Sequence, residues 1–519
     1  MNASTPNLLL VSPWITDFAA YDFWIKPLGL LYLAGELRQN GFRPRLVDCM
    51  DRAHPELLSW QGISRPQNRR WSTGKFLRTP VVKPAAYLQM PRLYCRYGMP
   101  EEVFDRLCLG GPPPDAILMT SGMTYWYPGV QLAIQRLRRL FPRVPILLGG
   151  IYATLCTEHA RRHSGADVVI AGEAEAVIVE KVWSVIGERN GGRRPEAGRE
   201  LEDAGGRRPE TGGRAGHNYA ALDELSWPAY DLYPRLQFAA LMTSRGCPLT
   251  CSFCASRQVS GSYRWRQIEG VVAELEWLYG TLGVREFAFY DDALLTNRDR
   301  HFLPLCERIM QSNLHATFHT PNGLQAKFID ATAAELMWRA GFKTIRLAYE
   351  SGDEERQRDM SKKVDNQSFA RAVRHLQGAG FGPAELDAYV MMALPGQSLD
   401  EVLRSMAFVH SLGVGIRLAA FSPIPGTKDF ERAVAQGQLA VDVDPLLTNN
   451  SVLPIRLPGV DLHVYYALGQ LAKELNTKLP HCCGAGHACL AADELSSVMK
   501  RRLLDAVKVD ARAGEIVSG

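Results

Sequence analysis

Residues 187–217 read GERNGGRRPEAGRELEDAGGRRPETGGRAGH, and Leu201 is the one large aliphatic side chain among them. A segment that can bury so little apolar surface cannot offset the conformational entropy lost on ordering. No core runs through it, so the chain must fold as separate halves joined by a linker. GGRRPE occurs twice within it, a short duplication and not the 20–50-residue period of a solenoid. The remainder of the 519 residues, at 46% hydrophobic and 22% charged overall, has ordinary globular composition and enough length for several domains.

Each half alternates short apolar runs with helical patterns. Before the linker the runs are Asn7 to Val11, Arg45 to Asp48, Asp115 to Thr120, Pro145 to Leu148 and Asp167 to Ala171. Short unbroken apolar runs bounded by turns read as buried parallel strands. Between them Leu30, Leu33, Ala34 and Leu37, and later Val130, Ala133, Ile134, Leu137 and Leu140, recur at helical spacing. This half is expected to be a flavodoxin-like, doubly wound parallel sheet. After the linker six more runs follow, near Phe238–Thr243, Glu286–Tyr290, His315–His319, Thr344–Tyr349, Leu386–Met392 and Ile416–Phe421. Ile268, Val271, Val272, Leu275 and Leu278 mark one intervening helix, and Ser398 with Glu401 reads as a capping box opening another. Six strands with crossover helices suit a partial (β/α)6 TIM-like barrel. The α/β chain thus divides into residues 1–186, a flexible linker 187–235, the barrel 236–436 and a small, mainly helical extension 437–519.

Three of the eleven cysteines fall within eight residues, in the stretch GCPLTCSFCAS: Cys247, Cys251 and Cys254. The stretch directly follows the first strand of the second half, at the carboxyl end where barrel enzymes place their chemistry. Structural zinc requires a closed set of four Cys or His ligands, and no fourth follows at suitable spacing. An iron-sulfur cubane held by three thiolates keeps one iron open to a substrate or cofactor. Thiolate ligands belong in a reducing compartment, so a cytoplasmic setting is expected. No apolar run approaches a membrane span, and a net charge of +4, partly in the linker, gives no support for nucleic-acid binding.

The CxxxCxxC spacing, with an aromatic before its last cysteine, resembles the radical S-adenosylmethionine (SAM) superfamily over roughly residues 236–436. The resemblance implies that Cys247, Cys251 and Cys254 ligate a 4Fe-4S cluster. Its open iron would chelate SAM, and reductive cleavage would yield a 5'-deoxyadenosyl radical. Phe253 matches the aromatic beside the adenine. Asp291 and Asp292 stand where many members carry GGE, and Glu350-Ser351-Gly352 matches the segment that contacts ribose and methionine carboxylate. The turns at Leu394-Pro395-Gly396-Gln397 and Ser422-Pro423-Ile424-Pro425-Gly426-Thr427 match later family loops.

The first half resembles the cobalamin-binding domain that precedes this barrel in one subclass. Pro27-Leu28-Gly29-Leu30, Gly41 and Val47-Asp48 match its opening unit. Ser121 after the third strand, Gly149, Gly150, Tyr152 and Thr154 after the fourth, and Gly172 and Glu173 after the fifth are the implied cofactor contacts. No D-x-H-x-x-G motif occurs, and His54 has the wrong spacing, so cobalamin without a protein ligand on cobalt is implied. Tyr125, Trp126 and Tyr127 either wall off the cofactor's lower face or pack against the insert Trp71–Tyr97.

Together these features imply a cobalamin-dependent radical SAM enzyme that methylates an unactivated carbon or phosphorus centre of a small-molecule or peptide substrate. The electron donor would be a flavodoxin or ferredoxin. The alternative is a cobalamin-dependent cyclase or rearrangement enzyme, which needs the same ligands. A tRNA methylthiotransferase fits less well, lacking its extra cluster cysteines, and the intact cysteine loop argues against a non-enzymatic sensor. In the extension, HCCGAGHAC (481–489) reads as packed cysteines about a turn, as a metal site or second cluster, or as a thiol that donates hydrogen to a radical.

Overall fold

A computed structural model describes residues 5–189, 222–360, 362–457, 460–483 and 492–503. The centre of the linker and most of HCCGAGHAC therefore lie outside the described residues, as do the side chains of His481, Cys482 and Cys483. The chain forms two units: Met1–Ser244 with Gln258–Ser260 and Arg264–Glu286, and Arg245–Arg257 with Gly261–Tyr263 and Phe287–Gly519.

In the first unit β1 (Asn7–Ser12) carries Leu8, Leu9, Leu10 and Val11, all fully buried. Burial on both faces is the mark of a central parallel strand. It pairs in parallel with β2 (Arg43–Asp48) on one side and β3 (Ala116–Met119) on the other, and β4 (Ile146–Leu148) and β5 (Val168–Val169) complete the order β5-β4-β3-β1-β2. All five strands form where the apolar runs predict them. The chain order reverses between β1 and β3, which opens a crevice at their carboxyl ends. Leu30, Ala34 and Leu37 of α1 (Leu28–Gln39) pack on Leu8 and Leu10.

Part of the span read as linker is ordered and belongs to this unit. From Leu222 onward the chain packs on α1: Ser226 Oγ donates to Glu36 (3.1 Å), and a Cβ on Gly35 would stand 2.4 Å from the Trp227 carbonyl oxygen. Tyr233 OH donates to Asp48 at the end of β2 (2.7 Å). The polar composition that marks the linker ends before this apolar, aromatic stretch begins. The insert between β2 and β3 contributes antiparallel strands Arg78–Pro80 and Cys95–Tyr97, the latter paired with Ile15–Asp17. Buried Arg52 is its hub, donating to Asp22, to Asn68 and to the Ser72 carbonyl.

The second half has a strand at each of the six expected places. The first, β6 (Ala239–Leu241), lies in the first unit and is fastened by Tyr230, whose OH donates to the Ala240 carbonyl and accepts from its N–H. In the second unit β7 (Glu286–Phe289), β8 (Thr317–Gln325), β9 (Phe342–Glu350), β10 (Leu386–Met392) and β11 (Gly415–Ala420) are neighbours in chain order. Pairing from β8 to β11 is parallel throughout. Phe287, Phe289, Phe318 and Phe342 stack at centroid separations of 5.5–5.8 Å. Such offset aromatic pairs add to the apolar area they bury. Asn476 covers the free edge of β11 by accepting from the Ile416 N–H (2.7 Å) and donating to its carbonyl (2.9 Å), which removes an aggregation-prone edge. No helix among the described residues is long and apolar enough to cross a membrane.

Candidate functional site

The cysteine loop is shaped from its first residue. Gly246 has φ +77°, and a Cβ there would lie 2.6 Å from the Ser262 carbonyl oxygen, so only glycine fits. Its N–H donates to Asp292 Oδ2 (3.1 Å), which gives Asp292 a place in holding the loop. Gly246→Ala is expected to cost about 1–3 kcal/mol from strain and overpacking, read as a lowered melting temperature. The Cys254 N–H donates to the Cys251 carbonyl (3.1 Å), closing a turn that brings the last two thiols round. Burial pushes the Cys247 thiol up, and it pushes Cys251 up to about 11 although the ammonium of Lys363 works in the opposite direction. Neutral thiols are the expected state of such a loop until metal supplies the positive charge that deprotonates them.

Among the described residues no three His, Cys, Asp or Glu side chains converge tightly enough to hold one metal ion. A cubane joins each thiolate to a different iron, so its ligands are spread apart. Three free, clustered thiols on one loop suit a cluster and do not suit zinc.

Phe253 packs against Met360, Met391, Leu394, Phe421 and Ile455, an apolar wall behind the loop. Lys363 Nζ stands 5.7 Å from the Phe253 ring centroid and donates to Glu350 Oε1 at 2.7 Å. Burial disfavours that ammonium, but Glu350, and after it Cys251, outweigh the penalty and raise its pKa above the usual lysine value. Glu350 ends β9 with φ +66°, at an irregularity in the pairing with β10. Backbone strain of this kind persists only where surrounding contacts enforce it.

The residues that follow Glu350 are braced by a carboxylate that the sequence pattern disguises. Ser398 does cap its helix (Leu399–Ser411) by accepting from the Glu401 N–H (3.2 Å). The Glu401 carboxylate does not complete the box. It accepts instead from Ser351 Oγ (2.7 Å), Arg356 Nε (2.7 Å) and Gln397 Nε2 (3.2 Å). Ser351 is fully buried and tied to Glu401, so its hydroxyl acts in support of the Glu350 segment. Asp291 is also buried, and its carbonyl, with that of Tyr290, accepts from Asn322 Nδ2. Glu401, Lys363 and Asn322 gave no motif; only their apolar neighbours and the capping pattern hinted at burial.

In the first unit, five of the seven expected cofactor residues gather at the carboxyl ends of β3, β4 and β5. Ser121 Oγ donates to the Gly149 carbonyl (2.6 Å) and accepts from the Ala153 N–H (3.3 Å). Thr154 Oγ1 donates to the Gly150 carbonyl (2.8 Å) and accepts from the Gly172 N–H (2.9 Å). Gly150 is required by packing, since its Cβ would meet the Ser121 carbonyl oxygen at 2.4 Å. Gly172 differs: at φ +77° a Cβ would meet no protein atom within 4 Å. Gly149, Gly150 and Gly172 leave bare backbone at the ends of the neighbouring strands β4 and β5, which a flat ligand such as a corrinoid could approach.

The other two are occupied elsewhere. Tyr152 is fully buried, stacked on Tyr127 and hydrogen-bonded through OH to His159 Nδ1 (2.7 Å), so its place is in packing. Glu173 pairs with Arg264 at 2.6 Å. Trp126 donates to Asp17 (2.8 Å) and packs with Ile15, Phe76 and Tyr97, which favours the packing role for that aromatic run. His54 caps the helix Pro55–Gln61 by accepting from the Glu56 N–H.

The chain matches the radical SAM superfamily over residues 241–409 and the B12 binding domain over 103–181. It is 26% identical over 342 residues to an uncharacterized methyltransferase of Pyrococcus horikoshii, covering 63% of this chain and 71% of that one. To the anaerobic magnesium-protoporphyrin IX monomethyl ester cyclase of Synechocystis sp. it is 24% identical over 284 residues, covering 53% of this chain and only 56% of the cyclase. In three dimensions it resembles the radical S-adenosylmethionine methyltransferase TsrM of Kitasatospora setae, with a TM-score of 0.57 at 16% identity over 83% of this chain and 76% of that one. That likeness is one of fold. The chain thus carries a radical SAM domain, matched over residues 241–409, preceded by a B12-binding domain, matched over 103–181.

Proposed function

We propose that this protein is a cobalamin-dependent radical SAM methyltransferase, with a cobalamin domain at 1–186 and the catalytic barrel at 236–436. The observation that carries the reading is the loop of three free thiols, set next to the Lys363–Glu350 pair. Cys247, Cys251 and Cys254 would hold a 4Fe-4S cluster; Phe253, Asp291, Asp292, Glu350 and Ser351 would surround SAM; Ser121, Gly149, Gly150, Thr154 and Gly172 would bed the cobalamin. When bound, these groups supply reductive cleavage of SAM, hydrogen removal from an unactivated centre, and a methyl carrier. The chain orients and shields them. Glu401 fixes Ser351 and Arg356 so that Glu350 keeps its strained backbone. Phe253 and the wall of Met360, Met391 and Phe421 exclude water from one side of the loop.

The methyltransferase relative and the methyltransferase fold neighbour support methylation, while the likeness to a cyclase keeps ring formation as the second reading. The electron donor we propose is a flavodoxin or ferredoxin, and the setting the cytoplasm. After anaerobic loading and desalting, the full chain is expected to retain about four irons and about one cobalamin without a protein ligand on cobalt. Failure to retain cobalamin would leave the first unit an empty flavodoxin-like domain and remove the cobalamin part of the proposal.

A further inference from the structure

The Cys251–Cys254 turn is gripped from two helices. Ser252, 2% exposed, donates through Oγ to Asp429 Oδ2 at 2.7 Å, and the Asp429 N–H returns a bond to the Ser252 carbonyl at 3.0 Å. Asp429, also 2% exposed, lies in the first turn of the helix Lys428–Ala435, whose start is fixed by its cap, Thr427. Its second oxygen accepts from Arg432 Nη1 (2.9 Å), and Arg432 also forms a bidentate pair with Asp359. Asp359 ends the helix Glu354–Asp359, and the carbonyl of the next residue, Met360, lies 3.5 Å from Cys251 Sγ. The contacts close a ring: Cys251, Ser252, Asp429, Arg432, Asp359, Met360 and back to Cys251.

From this ring we infer that Asp429 is a positioning residue for the cluster, holding the cysteine turn in shape so that the thiols are spaced before iron arrives. The inference rests on the cluster reading above. The Asp429 carboxylate accepts one buried bond from Ser252 and the Asp429 backbone N–H donates the other; the charged acceptor is the strong half of this clamp, because the Ser252 hydroxyl would be buried without that partner if the carboxylate were removed. Partners behind metal ligands commonly set how tightly those ligands hold.

The test uses the full chain, loaded anaerobically with iron and sulfide, and follows iron release to a chelator together with the electron paramagnetic resonance signal of the reduced cluster. Asp429→Ala is expected to release iron at least about tenfold faster than wild type, and Asp429→Asn, which keeps an acceptor of the same shape, within about threefold of it. A helix-end role alone would lower the melting temperature of the metal-free chain and leave the release rate unchanged. Equal release rates for wild type and Asp429→Ala overturn the inference while leaving the cluster assignment intact. A wild type that takes up no iron overturns the cluster assignment itself, and this inference with it. If Asp429→Ala does not fold, Ser252→Ala decides: it removes one hydroxyl, and faster release supports the clamp where an unchanged rate overturns it.

Discussion

Changing Cys247, Cys251 and Cys254 together to alanine is expected to bring iron to background and to abolish 5'-deoxyadenosine formation from SAM. The effect is total because the three thiols are the cluster's protein ligands in this reading. Among the described residues no three metal-binding side chains converge to stand in for them, and of the remaining described cysteines Cys49, Cys95, Cys108 and Cys306 are buried while Cys156 is partly so. Burial pushes Cys108 up to about 12, so that thiol is no ready donor. The triple variant should keep its fold, since Cys247 and Cys251 are only partly buried and Cys254 is exposed. It should also keep any cobalamin bound by the first unit. The measurement is iron content and product formation after anaerobic loading; 5'-deoxyadenosine from the triple variant would show that the cleavage chemistry lies elsewhere.

Glu401→Leu should produce the largest loss of stability of any single substitution near the site. Glu401 is 6% exposed and its carboxylate accepts from Ser351, Arg356 and Gln397, so its removal leaves the Arg356 guanidinium without its counter-charge and the Ser351 hydroxyl proton without its acceptor, while Gln397 keeps the Met391 carbonyl. Breaking one side of a buried pair costs about 3–5 kcal/mol, which would show as a clear drop in the melting temperature. Glu401→Gln, retaining an acceptor, should lose less stability but still loosen the Ser351 segment. A raised KM for SAM with a smaller change in kcat is the expected signature. A Glu401→Leu chain melting with wild type would show that Arg356 and Ser351 find other partners.

Strand positions were legible because a strand buried on both faces has to be largely apolar, as Leu8 to Val11 and Leu347 to Tyr349 are. The chemistry of the cysteine loop was legible because thiol spacing constrains what three thiolates can hold. The supporting contacts were not. Glu401 stands three residues after Ser398 and is indistinguishable in sequence from a helix-capping glutamate, yet the carboxylate points to residues 45 and 50 positions away. Asp429 reaches Ser252 across 177 positions, beyond any local pattern. The side-chain surroundings of Tyr152 were hidden for the reverse reason: it lies in a glycine-flanked loop at the strand ends, and its side chain turns into a cluster with Tyr127 and His159. The linker boundary shifted because Leu222–Arg235 carries aromatics that pack on α1 and β2, and aromatic content, not Gly and Arg content alone, decides where order resumes.

The central claim is tested most directly by the adenosine-containing products of SAM when the fully loaded chain is reduced anaerobically with and without cobalamin. A methyl group taken from SAM leaves S-adenosylhomocysteine, whereas reductive cleavage leaves 5'-deoxyadenosine. The account predicts both products with cobalamin present, and loss of S-adenosylhomocysteine when cobalamin is withheld. Formation of 5'-deoxyadenosine with no S-adenosylhomocysteine, in protein that demonstrably holds cobalamin, would contradict the methyltransferase and favour the cyclase.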